Sequence, residues 1–396
     1  MEPFIKKLRI VNYKSIADLT IENIGPFAVF AGANGSGKST IFEALEFVNH
    51  VVRFGCRQAL YLHGGWANVH NFRLDDELSK VFEFEIVVHS YNSSFATKNP
   101  ANIEVSERKF LLRIEDFHEA NPKRIEIYNN GDNSVPSENE ISTVSDTIHS
   151  LSSSNQIEEL GNSILRYLPE LESLLGNLLY YSFNPNAARE STLAQFDNSL
   201  LDKQGRNLAA VLSRLESDSS ISDSIIELMQ LFVPSLESVK TETNSLDGRS
   251  GLQFIEEGLS RPFPPHLISD GTLHALNILV ALFQRKNNIP LMGTNWTLIE
   301  EPERGLHPYA VQELTSIIRE AATSLKANSV GVEKFQPFWL TTHSASLVRA
   351  CRPGELWFVE KTNGFTTVRK ADPHPQSRLP LDEAWLSNAL DGGLPW

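Results

Sequence analysis

Residues 32–40 read Gly-Ala-Asn-Gly-Ser-Gly-Lys-Ser-Thr, between an apolar run (Phe27, Ala28, Val29, Phe30) and a helical pattern (Ile41, Phe42, Ala44, Leu45, Val48). A strand, a G-x-x-x-x-G-K-[ST] turn and a helix together bring backbone N–H groups and a helix N-terminus around phosphate oxygens. Each residue type has a task there. Gly32, Gly35 and Gly37 let the backbone approach a β-phosphate with no Cβ in the way, Lys38 supplies a point charge to the β/γ oxygens, and Ser39 offers a hydroxyl to Mg²⁺. The stretch predicts a nucleoside triphosphate site. A glycine turn capping an ordinary helix is the competing reading, and the legible flanking strand and helix count against it.

A chain of 396 residues has room for one large α/β domain with an insertion, or for two domains. With 41% hydrophobic and 21% charged residues it fits neither disorder nor a membrane span, and no apolar stretch approaches spanning length. Met1 to Ile10 carries Lys6, Lys7 and Arg9 but no apolar core of an export signal. Two distant cysteines, Cys56 and Cys351, lack metal-like spacing and suit a reducing cytoplasm. The 49 acidic against 35 basic side chains leave a net charge of −14, which argues against a surface that coats nucleic acid by itself. A local basic groove, a patch assembled on dimerisation or a partner would have to supply any DNA contact.

Phe4 to Ile10 and Ile16 to Ile21 alternate as a strand pair joined near Asn12-Tyr13-Lys14-Ser15, and Phe27–Phe30 then leads into the phosphate loop. Residues 81–88, 109–114 and 124–128 read as further antiparallel strands. Between about 129 and 156 the composition turns to Ser, Asn, Asp and Glu, too poor in large apolar groups to offset ordering entropy, and predicts a mobile insertion. Leu160 to Leu175 recur at helical spacing, which points to packing and to no chemistry. Residues 206–215 and 221–232 predict two amphipathic helices, and 236–240 and 252–256 two strands. The boundaries expected are an N-terminal lobe over 1–88, an insertion over 89–176 and a C-terminal lobe over 177–396.

Trp296-Thr297-Leu298-Ile299-Glu300-Glu301-Pro302 reads as a strand ending in two carboxylates. Strand ends are where open α/β sheets place ligands. In a triphosphate site Glu300 would hold Mg²⁺, directly or through water, opposite Ser39, and Glu301 would polarise the attacking water. Two solvated acids at a strand end would be the default for the pair taken alone. His343 follows the apolar strand Phe338–Thr342 and can reach a γ-phosphate or the attacking water, although a lone histidine is more often a surface or core residue. Ile268-Ser269-Asp270-Gly271-Thr272 opens a long apolar helix whose N-terminus, serine hydroxyl and glycine N–H make a second anion cradle; a plain helix cap explains that segment equally well on its own.

Taken in order, GANGSGKS, ISDGT, TLIEEP-ERGLHP and TTHS resemble the ABC-type ATPase heads of the RecF, SMC and OLD group, and most closely the bacterial stand-alone ATPases of the AAA family that lack a coiled coil and a TOPRIM domain. The likeness covers both lobes and leaves out most of 89–176. It implies an α/β P-loop NTPase fold with a mixed sheet, an antiparallel N-terminal lobe and a helical insertion. It also implies two heads sandwiching two ATP molecules with Mg²⁺, so that Ser269 and Gly271 act in trans on nucleotide held by the partner. By the same resemblance Asn34, Gly35, Ser36, Gly37, Lys38, Ser39 and Thr40 bind nucleotide, Ser39 and Glu300 hold the metal, Glu301 is the catalytic base and His343 the switch histidine. Gly305, Leu306 and His307 fall at the interface-crossing D-loop, and Asn12 with Lys14 contact nucleotide or frame the pocket. Departures are the signature ISDGT in place of LSGGQ, Glu for the more usual Asp at 300, and a Q-loop for which Gln58 and its neighbours are the candidates.

The function expected is an ATPase that dimerises or forms a larger homo-oligomer on ATP. It would transmit closure to DNA or to a protein effector, a nuclease or toxin encoded nearby, in DNA repair or anti-phage defence. An OLD-like nuclease component is the first alternative, but no Asp-x-Asp element follows Glu360 in the short C-terminal segment, and a metal nuclease needs clustered carboxylates. A membrane transporter subunit is the second, and no aromatic stacking residue ahead of the phosphate loop is identifiable; no membrane partner is expected. A GTPase would carry Asn-Lys-x-Asp, which is missing, and the long gap between Lys38 and Glu300 exceeds a compact motor core.

Overall fold

Five consecutive buried residues, Phe27–Ala31, form a strand that has no solvent face at all. Such a run suits a parallel strand covered on both sides, and the architecture follows from it. The computed structural model describes residues 5–74, 81–92, 104–115, 124–130, 175, 178–193, 200–284, 296–323, 337–371 and 380–387. The opening hairpin is β1 (Ile5–Tyr13) and β2 (Ile16–Ile24), followed by β3 (Phe27–Ala31), α1 (Lys38–Phe54) and α2 (Cys56–Leu62). Three strands come next, β4 (Phe82–Asn92), β5 (Glu104–Glu115) and β6 (Arg124–Asn130). The second half holds β7 (Leu179–Tyr181), β8 (Thr192–Leu193), α3 (Leu208–Leu215), α4 (Ser219–Gln230), β9 (Leu236–Thr243), β10 (Arg249–Glu256) and α5 (Asp270–Phe283). It ends with β11 (Thr297–Glu300), α6 (Pro308–Thr323), β12 (Phe338–Thr342), α7 (Ala345–Ala350), β13 (Leu356–Thr362), β14 (Phe365–Lys370) and α8 (Leu381–Leu386).

The strands build a six-stranded sheet in the order β14-β13-β3-β12-β11-β7, a five-stranded antiparallel sheet β2-β1-β4-β5-β6 and a small sheet β8-β10-β9. In the six-stranded sheet only the edge hairpin β13–β14 is antiparallel; β13, β3, β12, β11 and β7 all run the same way. Side chains that alternate along each central strand divide the interior into two cores, as the two-residue period of a strand requires. Phe27, Val29, Phe338, Leu340, Ile299, Leu356 and Phe358 face α3, α5 and α6. Ala28, Phe30, Trp339, Leu298, Trp357 and Val359 face the opposite way, onto α1 and the antiparallel sheet. Helix α1 is therefore sandwiched, and its buried residues Ile41, Phe42, Leu45, Val48 and Val52 recur at helical spacing.

An aromatic chain fills the second core beneath the phosphate loop. Trp339 meets Trp296 at 4.7 Å and Phe30 at 5.6 Å between ring centroids, and Phe30 meets Phe42 of α1 edge-on at 5.9 Å. Across the other face Arg319 of α6 reaches Glu355 at the start of β13 with two bonds, 2.8 and 2.9 Å, and donates to the Ala350 carbonyl at 2.6 Å. This bidentate pair fixes α6 against the sheet edge next to the phosphate-loop strand.

The antiparallel sheet matches the strand pair and the three later strands expected, with one difference of extent. β4 runs to Asn92, and β5 starts at Glu104, pairing Asn92 with Glu104 and Val88 with Arg108. The strands of 89–176 thus extend the N-terminal sheet as one ladder. Of the mobile insertion expected over about 129–156, Asn129 and Asn130 instead end β6, and of the expected leucine-rich helix Leu179 instead begins β7; apart from these and Leu175 and Leu178, both segments lie outside the described residues. Trp385 of α8 is buried and stacks on Phe358 at 6.1 Å, so the start of the tail docks on its own chain. No helix among the described residues is long and apolar enough to cross a membrane.

Trp339 is fully buried in the second core and meets two aromatic neighbours there, Trp296 and Phe30. Trp339→Ala is expected to lower unfolding free energy by about 3–5 kcal/mol in urea titration, with Trp339→Phe costing less.

Candidate nucleotide site at the sheet edge

Three loops meet where β3, β12 and β11 end, side by side and in that order. Phe30 is level with Thr341, and Thr341 with Glu300, so the acidic pair sits one strand beyond the histidine strand, at roughly 10 Å across the sheet from β3. The Gly32 N–H donates to the Thr342 carbonyl at 3.2 Å, which continues the ladder into the phosphate loop.

The loop delivers its lysine at the first position of α1, after Gly37 with φ 105. A side chain at Gly37 would be both strained and blocked, because its Cβ would lie 2.0 Å from Thr366 Oγ1. Gly32 is pressed in the same way against β13, 2.2 Å from the Val359 carbonyl oxygen to an added Cβ. Thr366 of β14 therefore supports the loop from below: its hydroxyl bonds Ser36 O at 3.2 Å and Ser15 Oγ at 2.7 Å, and its N–H donates to Ser15 O. Ser15 and Thr366 were not indicated by the sequence, since one sits in a hairpin turn and the other in an edge strand with ordinary polar alternation.

Lys38 is 6% exposed and donates from Nζ to Gly32 O at 2.8 Å and Ala33 O at 2.9 Å. Burial lowers its pKa from the ordinary value, and Glu301, Glu303 and Glu300 oppose that shift. The ammonium thus lies within the field of all three carboxylates. Asn34, Gly35 and Ser39 are exposed, Thr40 is half-buried, and Ser36 is buried.

Glu301 has φ 45, a left-handed backbone that costs a residue with a side chain roughly 1–2 kcal/mol. It is held there by its N–H on the Thr341 carbonyl at 3.0 Å and by its own carbonyl, which accepts from the Arg304 N–H at 3.0 Å and from His274 Nε2 at 3.1 Å. Its Oε1 lies 3.1 Å from His343 Nδ1. Glu303, buried beside them, accepts from the Thr342 hydroxyl at 2.6 Å and the His343 N–H at 3.4 Å, and burial raises its carboxyl above the usual range. It locks the histidine loop to the acidic loop. The acidic run Glu300-Glu301-Pro302-Glu303 made this third carboxylate visible, though only the fold assigns it. Tyr180 of β7 lies beside Glu300: burial, and then that carboxylate, push the phenol well up.

Three polar atoms around the loop are buried without a hydrogen-bond partner among the described residues: Ser36 Oγ, Glu300 Oε1 and Glu303 Oε2. Orphaned polar atoms of this kind are costly unless a ligand meets them. Backbone donors at a helix start, one ammonium, an exposed Ser39 hydroxyl and orphaned carboxylate oxygens together fit a phosphate chain with a divalent cation.

The segment 268–272 packs against the turn that follows the acidic pair. Ser269 caps α5, accepting the Thr272 N–H at 3.1 Å and bonding Thr272 Oγ1 at 2.7 Å. Gly271 packs on Gly305, so closely that a Cβ would fall 2.0 Å from the Gly305 oxygen. Arg189 anchors the start of the helix through Asp270 at 2.6 Å and the Ile268 carbonyl at 2.9 Å. No hydrogen bond among the described residues joins Ser269 or Gly271 to the phosphate loop of the same chain. Lys14 pairs with Glu43 of α1 at 2.7 Å, Asn12 donates to Val81 O at 2.6 Å, and Gln58 is exposed within α2.

Among solved structures the chain is similar to the Smc head bound to the C-winged helix domain of ScpA, at 14% identity and TM-score 0.56, over 96% of this chain and 99% of that one. It is also similar to the Smc head domain with an extended coiled coil bound to the C-terminal domain of ScpA from Pyrococcus furiosus, at 13% identity and TM-score 0.50, over 98% and 99%. These likenesses show a shared head fold. No curated protein matches in sequence. A family profile described as "AAA domain, putative AbiEii toxin, Type IV TA system" matches residues 27–349, a span that holds the phosphate loop, the start of α5, the acidic run and His343. The chain belongs to that AAA domain family, as an ATPase-type domain with the fold of an SMC head.

Proposed function

We propose that the protein hydrolyses ATP with Mg²⁺ and does so as a head that closes on a second copy. The observation that carries this reading is the meeting of Lys38, three carboxylates and His343 at neighbouring strand ends, with Glu301 3.1 Å from His343. Asn34, Gly35, Ser36, Gly37 and Thr40 line the phosphates, and Lys38 turns from its loop carbonyls to the β/γ oxygens. Ser39 and Glu300 hold the cation, which when bound screens the phosphate charge and polarises the γ-phosphoryl group. Glu301 orients and deprotonates the attacking water, and His343, fixed by Glu303, steadies that carboxylate. Ser269 and Gly271 pack on the turn after the acidic pair and make no hydrogen bond to their own phosphate loop among the described residues, which supports their serving the nucleotide of the facing copy.

Closure is passed to a protein effector, with DNA as the second candidate partner. The surplus of acidic groups favours a protein, and the similar Smc heads are bound to domains of ScpA. The family description, which names a toxin and a type IV TA system, supports a setting in defence beside a toxin or nuclease. A cytoplasmic site of action accords with two free buried cysteines.

Lys38→Ala is expected to weaken ATP binding about 100-fold or more in calorimetry, since a charge-assisted phosphate contact is lost. Glu301→Gln should cut steady-state hydrolysis about 10²–10⁴-fold while retaining nucleotide. Light scattering of that variant with ATP and Mg²⁺ should show a dimer or larger assembly; a monomer at every ATP concentration would refute closure on a second copy. Chelation by EDTA should abolish turnover in the native chain. Rates with and without duplex DNA at fixed salt then separate the two partner classes: no stimulation is expected.

A further inference from the structure

The left-handed Glu301 is held by two donors on one carbonyl, and they differ in origin. The Arg304 N–H belongs to the turn itself. The other donor, His274 Nε2, comes from a separate helix, one turn into α5. A carbonyl can only accept, so Nε2 carries the proton and the neutral ring leaves Nδ1 bare. Nδ1 is indeed buried with no partner among the described residues.

The imidazole is 1% exposed and lies edge-on to Phe183, 6.0 Å between centroids. A leucine would fill such a place with no orphaned nitrogen and no desolvation penalty. The one thing the imidazole adds is the bond to Glu301. Three residues before His274, Gly271 rests on Gly305, so the start of α5 touches the acidic loop at two places, Glu301 and Gly305.

We propose that His274 is a positioning residue for hydrolysis: its Nε2–H clamps the Glu301 carbonyl, keeps that residue left-handed and so aims its carboxylate at His343. The clamp also ties the base to the signature end of α5, so that a shift of Ser269 and Gly271 on meeting a second copy reaches Glu301 of the same chain. This rests on the reading of Glu301 as the base. His274 touches neither nucleotide nor water in this scheme and acts only through the backbone it holds.

The test uses the full chain with His274→Leu, which keeps the volume and deletes the donor, and His274→Gln, whose amide N–H reaches the same carbonyl. Leucine should lower kcat about tenfold or more with KM for ATP within about twofold, as a misaimed base does, and glutamine should recover most of the rate. In a Glu301→Gln background the leucine substitution should change the residual single-turnover rate by less than about twofold. Without nucleotide, hydrogen exchange across residues 298–306 should quicken about threefold or more in His274→Leu and stay near native in His274→Gln. Native kcat in the leucine variant, equal losses in both variants, or a full loss repeated in the Glu301→Gln background would each overturn the proposal. Should His274→Leu fail to fold by circular dichroism, His274→Met carries the same comparisons. A native chain that does not hydrolyse ATP would overturn the reading of the site and this inference together, whereas hydrolysis that is indifferent to His274 overturns the inference alone.

Discussion

Everything at the site depends on a set of parallel strands that is buried on both faces. A strand such as Phe27–Ala31, with no side chain facing solvent, can be joined to a parallel neighbour only by a crossover, so each strand's far end opens onto the same edge. β3, β12 and β11 are drawn from widely separated parts of the chain, yet the ladder sets Phe30, Thr341 and Glu300 level with one another. Chemistry assembled this way inherits the rigidity of the sheet. The two aromatic and aliphatic cores that grip the sheet are the reason three loops hold their relative places.

Electrostatics then decides what that edge can accept. One buried ammonium faces three carboxylates, and the oxygens Glu300 Oε1 and Glu303 Oε2 have no hydrogen-bond partner among the described residues. Such a cluster repels a bare triphosphate, whereas Lys38 and the α1 N-terminus attract it. Charge balance therefore favours an anion that arrives with a divalent cation over the anion alone. Glu303 has two parts to play: the Thr342 hydroxyl and the His343 N–H hold its Oε1, making it a brace between two loops, while Oε2 stays among the unpartnered oxygens.

The sequence made local features legible and tertiary ones invisible, for a physical reason. The phosphate loop, α1, the acidic strand end and His343 are each written within one short stretch whose spacing carries the chemistry, and each falls where the spacing puts it. β5 is longer than its apolar window, starting at Glu104, because a strand paired with β4 along its whole length gains backbone bonds even where its side chains are polar. Thr366 under Gly37, Arg189 on Asp270 and His274 on Glu301 had no signal, since each matters through one distant partner. Gly32 and Gly37 were expected to be small for the ligand's sake; they must also be small for Val359 and Thr366.

The contact between Gly271 and Gly305 shows why the signature segment and the turn after the acidic pair act as one surface. A Cβ added at Gly271 would lie 2.0 Å from the Gly305 oxygen, so the two backbones touch directly and leave no side chain to yield between them. Arg189 fastens the same helix start from the other side through Asp270 and the Ile268 carbonyl. Gly271 on Gly305 and His274 on Glu301 thus tie the start of α5 to residues 301–305. In a packed interior, small displacements are passed on more readily than they are absorbed. The start of α5 is thus in direct contact with the turn that carries the left-handed glutamate.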